Sequence, residues 1–448
     1  VLAAPLAATQ LAQVALSTTD IAMMGHLGTT ALAGGGLAIV LFNQIRTMGV
    51  GLLTGTANLL AGAAARAEAA TGPAAHGEIR RITATAMLVA TIIGAAGAAV
   101  LVGIGFVLEP LGQHRGVAQA AQHMLLALAP GLIPCLWFQV LRQTTVGLRR
   151  PLRLLWVTLG SVALNFVLNL VLLNGVGPFP ALGLAGIGAA TSAVHLAQAL
   201  ALAALMRRDP VVRAALQRGD RDPGVRAAGR SLLRLGVPTA LTYGSEAGLF
   251  SVLALLAGAL GAAALAAYNV VNQITYVVFQ TAVGTSHAAS VLVSRDAASG
   301  REQRSRRWAA TALAQQAALL VLVAVLYLAF GPALVRLLAA DATPGTIALG
   351  ATVLATAALT QFADAAQNIA VGLLRGIDQA AAGFRATLVG YWAVGLPAAA
   401  LLAFGLDWGL TGLWAGLGCG LAACAALMLS RFHTATRTPA PAARPTGP

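Results

Sequence analysis

Residues 83–108 read TATAMLVATIIGAAGAAVLVGIGFVL, a run without a single charge, bounded by Arg80-Arg81 before it and Glu109 after it. A helix crosses the roughly 30 Å hydrocarbon core of a bilayer in about 20 apolar residues, so this run is long enough to span. It shows no period-two alternation, which excludes a barrel strand and leaves a helix. Working outward, runs of the same kind occupy 3–24, 31–60, 118–141, 154–174, 183–206, 235–258, 264–293, 308–331, 346–374, 386–405 and 410–430. Twelve transmembrane helices are expected, in an all-α integral membrane protein.

Composition leads to the same class. The 448 residues are 58% hydrophobic and 9% charged, against about 45–50% and about 25% in soluble domains. So few charges cannot cover a soluble surface. No cleavable signal peptide is visible: the first apolar run, Leu2 to Met24, lacks a basic flank and carries Asp20, so it is read as a span. Cys135, Cys419 and Cys424 all lie within apolar runs, and no disulfide framework is expected.

All 28 basic residues are Arg, against 14 acidic ones, for a formal net charge of +14. Of the 28, 25 fall in the loops after spans 2, 4, 6, 8 and 10 and in the C-terminal tail. Arg115 and Arg336 lie on the opposite side, and Arg46 lies inside span 2. Arginine-rich loops remain in the cytoplasm, so both termini are expected there. This spread along the chain also argues against nucleic acid as a partner; the bilayer is the partner expected, and the protein is expected to be monomeric. The densest charge, Arg207 to Arg234, reads as a solvated linker between two halves. The expected organisation is an N-terminal six-helix lobe over 1–206, an Arg-rich cytoplasmic linker over 207–231, a C-terminal six-helix lobe over 232–431 and a disordered tail over 432–448.

The halves repeat. Leu27-Gly28-Thr29-Thr30-Ala31-Leu32-Ala33 recurs as Leu260-Gly261-Ala262-Ala263-Ala264-Leu265-Ala266, and at the same offset Pro5 meets Pro238 and Gly51 meets Gly284. Val146-Gly147-Leu148 matches Val371-Gly372-Leu373, and Gly183-Leu184-Ala185-Gly186 matches Gly409-Leu410-Thr411-Gly412. Six spans per half is an even number, so the halves share an orientation and are related by a pseudo-twofold axis along the membrane normal. That arrangement belongs to transporters with a cavity between two lobes. The glycine pattern Gly412-x-x-x-Gly416-x-x-x-Gly420, like Gly244-x-x-x-Gly248, reads first as close helix packing.

Three acidic residues lie inside spans: Asp20, Glu246 and Asp364. At 1.5 Å per residue, Glu246 stands about 18 Å from Arg234 and Asp364 about 16 Å from Arg375, both near the midplane. A charge there costs several kcal/mol unless it finds a partner or a proton. Two carboxylates at one depth can share a monovalent cation or hold a proton, since burial and mutual repulsion disfavour two ionised groups. The alternative is a carboxylate hydrogen-bonded for packing alone. Through the repeat, Glu246 corresponds to Gln13, on the Asp20 face of span 1. Arg46 lies at a depth from which it can pair with Asp20, which would make Asp20 structural. Polar residues on the spans (Asn43, Gln139, Asn165, Asn169, Asn272 and Gln367, among others) either line a cavity or bond helix to helix. No HExxH, Walker loop or Cys/His cluster is present, so neither an enzyme nor a nucleotide-driven pump is expected, and no cofactor.

Asp20-Ile21-Ala22-Met23-Met24-Gly25-His26-Leu27-Gly28 resembles the end of helix 1 in multidrug and toxic compound extrusion (MATE) transporters. Gly236-Val237-Pro238 with Glu246, Phe362-Ala363-Asp364-Ala365-Ala366-Gln367 with Leu374-Arg375-Gly376, and Tyr391-Trp392 with Gly395-Leu396-Pro397 resemble their helices 7, 10 and 11. The combination resembles the NorM-like branch over nearly the whole chain; the ends of spans 2 and 8 depart from its pattern. The resemblance implies efflux of cationic amphipathic drugs across a bacterial inner membrane in exchange for Na+ or H+. It implies a cation site at Glu246 and Asp364 and a further coupling carboxylate at Asp20. A flippase for a lipid-linked precursor is the alternative among related folds, and a channel is the alternative in another class.

Overall fold

A computed structural model describes residues 20, 23, 24, 27, 29–69, 74–110, 112–149, 154–175, 180–209, 213, 225–339 and 343–437. Eleven helices among them are long and apolar enough to cross a membrane. In chain order they are α1 Thr29–Ala69, α2 Ala74–Val107, α3 Arg115–Gly147, α4 Leu154–Asn174, α5 Leu184–Met206, α6 Val225–Ala259, α7 Ala262–Ala298, α8 Glu302–Leu338, α9 Pro344–Gly376, α10 Ala380–Gly405 and α11 Gly409–Ala435. They correspond to expected spans 2–12. Span 1 lies outside the described residues apart from Asp20, Met23, Met24 and neighbouring Leu27, and Gln13 lies outside them altogether.

The chain divides into two compact units between Tyr243 and Gly244, inside α6. In the first, Met24, Leu53, Leu101, Met124, Leu128, Leu136 and Ile187 form a dry core. In the second, Leu253, Val271, Val293, Leu354, Leu373 and Trp414 do the same. The helix ends differ from the expected loops in two places. α6 begins at Val225, within the stretch read as linker. α11 runs to Ala435, within the stretch read as tail, because Phe432 is buried and Arg306 on α8 hydrogen-bonds Thr436 just beyond it. Two arginines counted with the cytoplasmic loops are buried inside helices instead: Arg142 in α3, and Arg375 in α9, whose Nε donates to Ser290 Oγ at 3.3 Å.

Helix breaks are repaired by neighbours. α3 tightens into a 3-10 turn over Ala129–Gly131 at Pro130. A proline there frees backbone carbonyls that lipid cannot satisfy. Ser192 of α5 donates to one of them, Ala127 O, at 2.6 Å. α10 widens into π geometry over Leu388–Gly395 and again over Leu401–Gly405.

The repeated glycines make repeated contacts. A Cβ on Gly147 would stand 2.7 Å from Ala57 O of α1, and one on its counterpart Gly372 would collide with Ser286 of α7. Gly186 approaches Leu172 O and Gly412 approaches Leu402 in the same way, at 2.5 and 2.6 Å. Gly183 and Gly409, which open the last helix of each half, share φ of +54°, a conformation that side chains disfavour. The α11 glycines seat α10: Gly416 lies on the Ala399 backbone, and Gly420 faces Gly390 and Gly395 across the wider π turn. Gly248, by contrast, leaves ordinary space before Trp392.

Gly416→Leu is therefore expected to cost on the order of 3 kcal/mol or more by overpacking and to abolish the monodisperse peak on detergent size exclusion. Gly103→Leu, at a helix position with nothing within 4 Å, is the matched control expected to purify normally.

Candidate functional site

Asp20 is the most completely partnered intramembrane charge in the first unit. It is 5% exposed. Asn169 Nδ2 donates to its Oδ1 at 2.8 Å, Asn165 Nδ2 to the same oxygen at 3.1 Å, and Thr191 Oγ1 to Oδ2 at 2.9 Å. Asn165 and Asn169 stand one turn apart on α4, so a single face of that helix presents both amides. Hydrogen bonds to a charged group contribute about 1.5–3 kcal/mol each. Three of them offset the roughly 2.5–3.5 kcal/mol that translocon scales assign to a carboxylate at mid-helix. Thr191 Oγ1 also lies 3.0 Å from Ile187 O. Its one proton can serve either acceptor, so the same cage fits a charged or a protonated Asp20.

The Asp20–Arg46 pair weighed from depth alone does not form. Arg46 Nε donates to Asn43 Oδ1 at 3.1 Å, one turn away on α1, while Asp20 is taken by α4 and α5. Asn165 and Asn169 act here as interhelical donors to Asp20. Gln139 is buried on α3 with its amide nitrogen unpartnered.

In the second unit, Glu246 of α6 and Asp364 of α9 are half-buried and within electrostatic reach of each other. Neither has an ion-pair partner among the described residues. Tyr391, wholly buried in the π turn of α10, lies within reach of both carboxylates, and its hydroxyl has no hydrogen-bond partner. Gln367, one turn beyond Asp364, is wholly buried near Cys424, and neither its amide nitrogen nor its oxygen has a hydrogen-bond partner. Trp392 Nε1 donates to Ser245 Oγ at 2.8 Å, tying α10 to α6 beside Glu246. Asn272 is half-buried on α7. No set of three or more His, Cys, Asp or Glu side chains among the described residues could hold a metal together. The donors at hand are hard oxygens, suited to an alkali cation or a proton.

Sequence reading missed Thr191 and the role of Tyr391. Thr191 carries no signal, since its partner lies 171 positions away. Tyr391 stood in a quoted motif, but nothing in it pointed to the carboxylates. Replacing Asn169 by Leu is expected to lower the thermal stability of the purified protein by about 1.5–3 kcal/mol, whereas Asn174→Leu, which removes only an exposed bond to Leu170 O, leaves it within about 0.5 kcal/mol. Equal melting of the two variants by scanning fluorimetry would remove the Asp20 cage as a stabilising element.

Comparisons with known proteins agree with this architecture. The MatE family model matches residues 5–171 and 238–401, one copy in each half. The chain is 35% identical to the "Probable multidrug resistance protein NorM" of Pseudomonas aeruginosa over 433 residues, 96% of this chain and 87% of that one. It is 34% identical to the protein of the same name from Bradyrhizobium diazoefficiens over 443 residues, 97% and 92% of the two chains. Among solved structures, the eukaryotic MATE transporter AtDTX14 superposes with a TM-score of 0.83 at 21% identity, covering 97% of this chain and 96% of that one. A MATE structure in the straight conformation superposes with 0.85 at 17%, covering 98% and 96%. The chain belongs to the MatE family of multi-pass secondary transporters.

Proposed function

We propose that this chain is a twelve-span antiporter, built as two six-span repeats, that exports small organic cations in exchange for Na+ or H+. Its place is a bacterial inner membrane, with both termini cytoplasmic, and it works as a monomer. Span 1, with Gln13, completes the first repeat. The observation that supports the reading is that the carboxylates Glu246 and Asp364 lie within electrostatic reach of each other without a basic partner among the described residues. Two ionised carboxylates in a site poor in water repel each other and lose hydration; one bound cation relieves both penalties. Glu246 and Asp364 would supply charge to that ion, with Tyr391 and Gln367 as neutral oxygens whose lone pairs the protein leaves open.

Coupling requires that the ion bind the two conformations of the carrier unequally. The π turns of α10 are elements on which such a difference can act, because they place Tyr391 against the carboxylates and are held by glycine contacts to α11. Asp20 supplies a second coupling group, since its cage accepts either protonation state. Asn43, Gln139 and Asn272 are assigned to the lining of the substrate cavity. The named relatives are multidrug resistance proteins, and amphipathic cations are the substrate class that an interior carboxylate pair would attract.

Reconstituted in liposomes with ethidium at clamped pH, the wild type is expected to respond to an imposed Na+ gradient or, failing that, to a pH jump. Glu246→Gln and Asp364→Asn are each expected to reduce the coupled rate at least tenfold, while Asn174→Ala, which removes only an exposed bond to Leu170 O, changes it less than threefold. Coupled efflux undiminished in both carboxylate variants would sink this assignment.

A further inference from the structure

Arg46 is an intramembrane cation with no carboxylate partner among the described residues. It lies well inside the span Ala33–Glu68, where an arginine costs at least about 2.5–3.5 kcal/mol. Of its five N–H donors, one is given to Asn43 Oδ1, and the Cys135 thiol of α3 lies within reach of its guanidinium. Asp20, the intramembrane carboxylate of this unit, is saturated by Asn165, Asn169 and Thr191.

The groups around Arg46 add positive charge and hydrogen-bond donors. Arg142 of α3 and His195 of α5 both lie within electrostatic reach of it. His195 is stacked on Phe42, one turn before Arg46, with ring centroids 6.2 Å apart, and contacts Gln198 Oε1 at 3.4 Å. Gln139 and Gln143 follow Cys135 at one-turn spacing on the same face of α3. The amide nitrogens of Gln139, Gln143 and Gln198 are buried and have no partner, at about 1–3 kcal/mol for each unmade bond. The unpaired amides stand on the helix faces that carry Cys135 and His195, two groups within reach of the guanidinium, and together these donors favour a group that only accepts hydrogen bonds and carries negative charge.

We infer that Arg46, with these buried amides, forms an anion subsite inside the first unit. It takes a compact monovalent anion, either the acidic group of a zwitterionic substrate or a free anion such as chloride. This goes beyond the carboxylate pair of the second unit. It rests on the transport reading only for the first of the two sources. A guanidinium and planar amides suit a carboxylate by forked hydrogen bonds.

The test uses the full-length protein purified in detergent. Benzoate, titrated against gluconate at constant ionic strength, is expected to raise the melting temperature of the wild type and of Glu246→Gln. It is expected to leave Arg46→Gln unshifted, while Arg46→Lys keeps part of the effect. In parallel, binding of rhodamine 110, which bears a free carboxylate, is compared with that of its methyl ester rhodamine 123. Arg46→Gln is expected to weaken rhodamine 110 at least tenfold and rhodamine 123 less than threefold, which assigns the site to the substrate's own acid. If benzoate and chloride stabilise through Arg46 but the two dyes behave alike, the anion site stands and its occupant is the free ion. If wild type binds neither dye, the substrate reading fails and the benzoate series alone decides the site. Identical benzoate shifts in wild type, Arg46→Gln and Arg46→Lys overturn the inference. So does a benzoate shift that survives Arg46→Gln and disappears in Cys135→Ser, because the partner would then be the thiol.

Discussion

A charge or polar group inside a bilayer finds no bulk water, and much of this structure is organised around meeting such groups from within. Asp20 shows how. Its two oxygens are reached by three neutral donors from two helices, so one carboxylate is registered against both α4 and α5. The same requirement acts on backbone. The carbonyl loosened at Pro130 is met by Ser192, and the π turns of α10 are packed against glycines of α11 so that no void opens at the wider helix. Each repair is made by a neighbouring helix, which binds local irregularity to tertiary packing.

The second unit treats its carboxylates differently. Glu246 and Asp364 are given proximity rather than donors, and the neutral oxygens beside them are left without partners. A fully bonded carboxylate ties helices together in either protonation state; a pair left short of bonds is suited to a visiting cation. The first unit shows the opposite lack: Arg46 meets no carboxylate among the described residues, and three buried glutamine amides have no acceptor. Repeats that share a helix plan thus differ in the sign of the charge left unsatisfied. Their common plan is visible in matched glycines: Gly147 with Gly372, Gly186 with Gly412 and Gly183 with Gly409 make equivalent approaches or adopt the same backbone angle.

The sequence by itself determined the membrane class, the helical architecture, the repeat and the identity of the buried carboxylates. Those properties are carried by windows of composition: twenty apolar residues span a bilayer wherever they pack, and a charge within them is conspicuous wherever it points. Arg142 and Arg375 mark the limit of that logic, since hydropathy assigned them to loops while tertiary packing buried them. Only the tertiary structure decided who meets whom. Thr191, not Arg46, completes Asp20; Tyr391, not another acid, joins Glu246 and Asp364. Each residue step turns a helix by about 100°, so a partner is chosen by rotation and axial shift between helices far apart in the chain. Neither quantity is written in the hydropathy of any one span.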